Sequence, residues 1–350
     1  MKNEGIGGII MRVKISNWRC IENLELELGR INLFIGRNGT GKSSCAYALY
    51  FLSKAVKWQN IDTILMYLYG YNIEKLIRID NDRPCYPMNI EVDDMSLHAY
   101  IEDDEVKVDF SKESLWSDEY ILPSRRLAYI QVTEIISRIM SEMKPSEREF
   151  FGPMLAGFIR PFLEKLPLFP PAPAFLNDLT RAVTGLEVLP VKGGLKTTGS
   201  FVLRVVPLIS MFNFIFEDKY TQLKFPLGLS PDGQIDVSLI STIIQKALKG
   251  SLVVIEEPDI CKNPLAQIEL TRFIAKAANK KNLTIVMTTH SEIMPLALTK
   301  LVEDKILLPK DIKIYYFKRK PWTRTRLIKV YDDGTLEGLP DSEEATVKLF

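Results

Sequence analysis

The chain has 350 residues, 46% hydrophobic and 25% charged, with a formal net charge of +1; this ordinary balance allows one large domain or two small ones and selects neither a nucleic acid nor an anionic membrane as partner. Two histidines, and four cysteines (Cys20, Cys45, Cys85 and Cys261) with no C-x-x-C pair, argue against a histidine metal cluster, a zinc ribbon and a disulfide framework. No run of about 18 uninterrupted apolar residues occurs, so no membrane span is predicted, and a reducing, cytoplasmic location is expected.

The leader Met1 to Ile10 is too short in its apolar run for a signal peptide, and Met11 offers an internal start. Met11 to Asn17 alternates like a strand, and Ile21 to Leu28 does so again, with Ile21, Leu24, Leu26 and Leu28 set against Glu22, Glu25 and Glu27. The continuous apolar run Ile31 to Ile35 reads as a buried strand. It feeds Gly36-Arg37-Asn38-Gly39-Thr40-Gly41-Lys42-Ser43-Ser44, a full match to the phosphate-binding loop G-x-x-x-x-G-K-[ST]. A helix from Lys42 to about Val56 leaves the loop, with apolar positions at Cys45, Ala48, Leu49, Leu52, Ala55 and Val56. Strand, glycine loop and helix is the context this motif requires.

The acidic, alternating stretch Met88 to Phe110 predicts an antiparallel ribbon with polar outer faces, which makes His98 a plain surface residue. Tyr120 to Val132 carries Pro-Ser-Arg-Arg and a short apolar strand at Leu127 to Val132. Thr133 to about Val183 has a helical period broken by prolines around Leu166 to Pro173, and reads as a helical insertion. Strand character returns over Val188 to Leu208, around the turn Lys192-Gly193-Gly194. Helices are expected over Ser238 to Leu248 and Leu265 to Ala278, with buried strands at Leu252 to Ile255 and Leu283 to Met287. Ile312 to Lys318 and Thr325 to Tyr331 read as a terminal hairpin.

The chemistry follows from residue types at the strand ends. Glycines let successive N–H groups of the loop turn toward phosphate oxygens, and the helix N-terminus adds partial positive charge. Lys42 is placed for the β- and γ-phosphates of ATP and Ser43 for Mg²⁺. Leu252 to Pro258 reads Leu-Val-Val-Ile-Glu-Glu-Pro, so two carboxylates stand at the C-terminal end of a buried strand, where open α/β sheets bind ligands. Adjacent strand residues face opposite sides, so the two acids take different roles. Glu256 is read as holding Mg²⁺, usually through water, and Glu257 as orienting or deprotonating the attacking water. Leu283 to Ser291 ends Thr-Thr-His-Ser, which makes His290 a candidate γ-phosphate partner.

Together these three segments resemble the ABC-type ATPases, and among them the soluble RecF/SMC-like and OLD-like branch. Ile15-Ser16-Asn17-Trp18-Arg19-Cys20-Ile21 resembles that branch's Asn-Phe-Arg-Ser strand-turn motif, which implies that Arg19 approaches the nucleotide. Leu229-Ser230-Pro231-Asp232-Gly233-Gln234 resembles the signature Leu-Ser-Gly-Gly-Gln, with one extra residue and a proline. The resemblance implies that Ser230 contacts the γ-phosphate held by a second copy, so that two heads sandwich ATP as a homodimer. It also implies a metal-linked glutamine after a strand, for which Gln131 is the candidate. Where the branch has a His-Leu-His-Pro segment, this chain has Cys261-Lys262-Asn263-Pro264 and keeps only the proline.

The fold implied is an α/β ABC-type P-loop ATPase head with a mixed central sheet, an antiparallel β lobe and a helical insertion. Its expected divisions are an extension (1–10), lobe I (11–132), the insertion (133–185) and lobe II (186–350). Long heptad arms and a Cys-x-x-Cys hook are missing, which sets it apart from a full SMC-type tether, and the stretch after His290 is too short for the Toprim domain of full OLD proteins. Three uses stay open: a RecF-type DNA-maintenance ATPase, the ATPase partner of an effector protein, and, least favoured, a transporter motor. The basic run Lys318-Arg319-Lys320-Pro321-Trp322-Thr323-Arg324-Thr325-Arg326 supports DNA as a partner if it is more than a solvated hairpin.

Overall fold

In the computed structural model, which describes residues 10–68, 73–131, 172–182, 186–189, 199–206, 211–218, 220–226 and 230–340, the alternating N-terminal segments pair as β1 (Met11–Trp18) and β2 (Ile21–Leu28). After them come β3 (Ile31–Ile35), the short pair β4 (Ile79–Asp80) and β5 (Arg83–Pro84), and the acidic ribbon β6 (Met88–Val92), β7 (Met95–Glu102) and β8 (Glu105–Phe110). Next is β9 (Glu119–Leu122), followed by β10 (Leu186–Leu189), β11 (Gly199–Val206), β12 (Met211–Asp218) and β13 (Lys224–Pro226), which pair in that order. The last strands are β14 (Leu252–Glu256), β15 (Thr284–Thr289), β16 (Ile312–Arg319) and β17 (Thr323–Ile328). Helices α1 (Lys42–Trp58), α2 (Ile61–Leu68), α3 (Ala172–Ala182), α4 (Asp232–Lys246), α5 (Pro264–Lys281) and α6 (Ile293–Glu303) accompany them.

Two sheets enclose α1. One is antiparallel, in the order β2-β1-β6-β7-β8. The other is mixed, in the order β17-β16-β3-β15-β14-β9, with all neighbours parallel except the β16–β17 hairpin. Helix α1 packs on β1, β6 and β7 from one side and on β9, β14 and β15 from the other. Its side chains are therefore buried on every face, Lys54 included, where a surface helix would show a single apolar stripe. Lys54 survives burial because Glu119 lies at 2.8 Å and Asp178 at 3.3 Å. The parallel strands β3, β14 and β15 are buried along their whole length, matching their continuous apolar runs. Strands distant in the chain thus complete one sheet, and all its parallel strands end at the same edge. This is the fold class expected from the sequence.

Several expectations need correction. Leu127 to Val132 is not a strand: residues 126–131 are helical, and the strand is Glu119–Leu122, just before Pro123. The buried positions Arg126, Tyr129 and Ile130 have the i, i+3, i+4 spacing of a helix face. Helix α4 begins at Asp232 rather than Ser238, with Pro231 as its extended N-cap and Asp232 in its positive first turn. Helices α2 and α6 and strand β12 were not anticipated. Most of the expected insertion, residues 1–9, the turn at 192–194, Val132 and Leu229 lie outside the described residues. Among the described residues no helix is long and apolar enough to cross a membrane.

Candidate functional site

The loop between β3 and α1 is held from two sides. The Trp18 indole N–H, at the end of β1, donates to the Ser44 carbonyl at 2.9 Å, while its ring lies 5.3 Å from Phe51 of α1. Thr323, at the start of β17, donates from its hydroxyl to the Thr40 carbonyl at 2.9 Å, and its N–H donates to the Cys20 carbonyl at 3.0 Å. Gly41 has φ +102°, and a Cβ there would lie 2.3 Å from the Thr323 hydroxyl; Gly36 has φ +133°, and its Cβ would lie 2.3 Å from the Phe317 carbonyl. Glycine is required at both positions for its conformation and for the space it leaves. The β16–β17 hairpin and the β1–β2 turn thus clasp the phosphate loop.

Lys42 spans that loop. Its ammonium donates to the carbonyls of Gly36 (2.6 Å) and Arg37 (2.9 Å) and lies 3.3 Å from His290 Nε2. His290 follows β15, and its Nε2 is 3.7 Å from Glu257 Oε1. The same ring nitrogen therefore stands between the lysine and the acid that follows β14. Glu257 directly follows β14 in a left-handed conformation, φ +44°, with its N–H donating to the Thr288 carbonyl at 2.8 Å. That backbone turns its side chain away from the face taken by Glu256. Burial, then the neighbouring Glu256 and Asp259, push the Glu257 carboxyl above its ordinary range, against the pull of Lys42 and Arg126.

Glu256 lies deeper. It is buried and accepts hydrogen bonds from the Tyr47 hydroxyl and, at 3.2 Å, from the Ser124 N–H. Tyr47 is one helical turn beyond Ser43, so the carboxylate is tied to the flank of α1 below the loop. The loop, Glu257 and His290 border a cavity of about 490 Å³, a volume suited to a nucleotide-sized ligand. Its remaining wall is made by Arg19, Cys20, Lys75, Ile77, Ile79, Arg319 and Trp322. The cations Arg19, Lys42, Lys75 and Arg319 face the single carboxylate Glu257 there, so the cavity focuses positive potential.

Expected residues Asn38 to Ser44, Arg19, Glu257 and His290 therefore converge on one cavity. Gly36, Arg37, Glu256, Gln131 and Ser230 do not line it. Gln131 lies in the helical segment 126–131 rather than after a strand, and the loop that does follow β9 brings Ser124 to Glu256. Ser230 stands just before α4, where Gly233 passes so close to the Cys261 carbonyl that a Cβ would lie 2.3 Å from it. His98 stays in the ribbon, 2.9 Å from Asn89.

Sequence reasoning missed Arg126, Asp236 and Lys262. The Arg126 guanidinium pairs with Asp236 of α4 and donates to the carbonyls of Pro123 (2.8 Å), Glu256 (2.7 Å) and Glu257 (3.3 Å), while Lys262 pairs with the same Asp236. All three are buried. The sequence marks none of them with a motif; Arg126 is only part of the Pro-Ser-Arg-Arg stretch.

The fit to ATP and Mg²⁺ rests on this chain's own groups. The glycines let the loop lie against the β16–β17 hairpin, the Ser43 hydroxyl lines the cavity, and the Glu256 carboxylate lies behind the lining, tied to Tyr47. Mg²⁺ needs few protein ligands when phosphates and water supply the rest.

Comparison with known proteins gives a consistent picture. Residues 9–147 match the family model described as AAA ATPase domain. The OLD nuclease of Thermus scotoductus is 22% identical over 316 residues, covering 81% of this chain; this chain spans 59% of that protein's length. By fold, the chain is similar to an SMC head bound to the C-winged helix domain of ScpA, with TM-score 0.54, 11% identity and coverage of 96% and 99% of the two chains. It is also similar to an SMC head with an extended coiled coil, bound to the C-terminal domain of ScpA derived from Pyrococcus furiosus, with TM-score 0.51, 12% identity and coverage of 98% and 99%.

Proposed function

We propose that this chain, an ATPase head of the RecF/SMC-like and OLD-like AAA group, binds ATP with Mg²⁺ and hydrolyses it slowly between two paired copies. The observation that carries the reading is the meeting of Lys42, His290 and Glu257 at 3.3 and 3.7 Å beside a complete phosphate loop. In this reading the loop N–H groups bind the phosphates. Lys42 exchanges its hold on the Gly36 and Arg37 carbonyls for the β- and γ-oxygens. His290 hydrogen-bonds the γ-phosphate, and Glu257 takes the proton of the attacking water. Ser43 and Glu256 would hold Mg²⁺, which supplies charge neutralisation on the triphosphate. Arg126 keeps the end of β14 in position through its backbone carbonyls, so Glu257 meets the water without rearrangement. Ser230, outside this copy's cavity, would close the partner's site. Turnover of Mg-ATP, measured with the light-scattering mass with and without nucleotide, tests the reading.

A pH profile adds a second check. The base form of Glu257 is the carboxylate, and its pKa stands above the ordinary 4.5 of a glutamate, chiefly through burial. Turnover should therefore fall as pH drops through a limb lying above the usual carboxylate range, while nucleotide binding persists. A profile flat down to pH ~4.5 would exclude Glu257 as the base.

DNA maintenance is the preferred use. The hairpin places Lys318 directly opposite Arg324 on exposed strands, an unfavourable like-charge pair that a bound phosphate backbone would relieve. Log K for duplex DNA should then fall with log salt at a slope of about −4 for four or five phosphate contacts. Reversing Lys318, Arg319 and Lys320 to Glu should flatten it. Fluorescence anisotropy over a salt series reads both. No binding at low salt, with or without ATP, would transfer the preference to an ATPase that regulates an effector. The similarity to an OLD nuclease, of which this chain spans 59%, supports that second reading.

A further inference from the structure

The cavity has two chemically different sides. The phosphate loop and Lys42 suit a polyphosphate, but a polyphosphate has no use for Ile77, Ile79 and Trp322 on the other wall. Ile79 is 56% exposed, so its side chain is open to a ligand in the cavity that it lines. Trp322 is half-buried at the tip of the β16–β17 hairpin. The Arg78 guanidinium lies 4.5 Å from its ring centroid. Arg78 is itself fixed by Asn17 (3.0 Å) and Asp80 (3.1 Å), and it does not line the cavity. Arg78 thus covers one face of the indole from outside the cavity, which Trp322 itself lines. The next residue, Thr323, is bonded to the phosphate-loop carbonyl of Thr40, so the ring is held at a set place relative to the loop.

We infer that Trp322 is the base-recognition residue of this cavity: a nucleobase stacks on its indole against Ile77 and Ile79, and the fused rings of a purine are preferred over a pyrimidine. The inference rests on the nucleotide reading above and adds to it the residue that recognises the base. Stacking on a pre-positioned aromatic ring favours every base but scales with the ring area that overlaps. The hairpin thereby serves the nucleotide from its inner side while its lysines face outward.

The experiment is calorimetric binding of ATP, CTP and inorganic tripolyphosphate, each with Mg²⁺, to the wild type, Trp322→Ala and Trp322→Phe, with folding checked by melting. Wild type should bind ATP about tenfold more tightly than tripolyphosphate, with CTP between them. Trp322→Ala should bring ATP to the tripolyphosphate level and leave tripolyphosphate unchanged, and Trp322→Phe should restore most of the difference. Equal losses for ATP and tripolyphosphate in Trp322→Ala would overturn the inference in favour of a purely structural role at the loop, and undiminished ATP binding would overturn it outright. In both cases the nucleotide reading stands. A wild-type protein that binds neither ligand would overturn that reading and the inference together.

Discussion

Glu257→Gln should lower Mg-ATP turnover by about 10²- to 10⁴-fold, the usual worth of a positioned general base, while ATP affinity stays near wild type. Glutamine keeps the shape of the side chain. The hydrogen bonds that fix this residue run through its backbone, to the Thr288 carbonyl at 2.8 Å and from Arg126 at 3.3 Å, and both survive the change. Unhydrolysed ATP should then accumulate between heads, and light scattering of the variant in Mg-ATP should report twice the monomer mass. Glu256→Gln separates the two acids. Its carboxylate accepts from Tyr47 and Ser124 behind the loop, so the loss there should appear in the Mg²⁺ dependence of binding rather than in the chemical step. Wild-type turnover in Glu257→Gln would remove it as the base. A variant that stays monomeric in ATP would remove the paired-head mechanism and leave the nucleotide site standing.

These two acids also show what a sequence can disclose. Leu252 to Glu256 and Thr284 to Thr289 are legible because parallel strands buried on both faces must be continuously apolar, and polar residues at their ends stand out. The phosphate loop is legible because its glycines answer to a backbone demand that no other residue meets. The segment after Pro123 is not legible in the same way. Leu127 to Ile130 is apolar enough for a short strand, and only the burial of Arg126 with Tyr129 and Ile130 identifies it as a helical turn. A buried arginine reads as a surface residue until its partners are known, and Asp236 and Lys262 lie far along the chain. The wall of the cavity was hidden for a related reason. Trp322 and Arg319 carry no motif, and their basic neighbours suggest nucleic acid; only the parallel pairing of β16 with β3 carries the hairpin to the phosphate loop.

The pairing of Arg126 with Asp236 has a physical consequence for the proposed cycle. Asp236 is on the first turns of α4, which starts just after Ser230, and Arg126 holds the carbonyls of Glu256 and Glu257. Asp236 is kept ionised against the cost of burial by Arg126 and Lys262. A displacement of α4 therefore pulls on the backbone that carries both acids, because breaking a buried pair on one side leaves an uncompensated charge costing about 3–5 kcal/mol. The part of the head expected to touch a partner's nucleotide is thus joined to the residues expected to act on its own.

Lys42→Ala should weaken ATP binding about ten- to a hundredfold, since a lost charge-assisted contact is worth roughly 1.5–3 kcal/mol. The interactions of the ammonium sharpen this expectation. It is bonded to the Gly36 and Arg37 carbonyls and lies 3.3 Å from a histidine nitrogen, so it holds the loop's own dipoles as well as awaiting phosphates. Removing it deletes the phosphate contact and leaves the two carbonyls to turn toward the cavity, where they would oppose an anion. Lys42→Arg tests the geometry separately. A guanidinium keeps the charge but is planar and longer, and Lys42 is 6% exposed, with Gly36 and Arg37 already in contact. Arginine should therefore recover only part of the affinity. Calorimetry with ATP and with tripolyphosphate should show the same loss for both ligands in Lys42→Ala, because this residue serves the phosphates alone. Unchanged affinity in a variant that melts like wild type would defeat the assignment of the loop. A loss confined to ATP would move Lys42 away from the phosphates and toward the base.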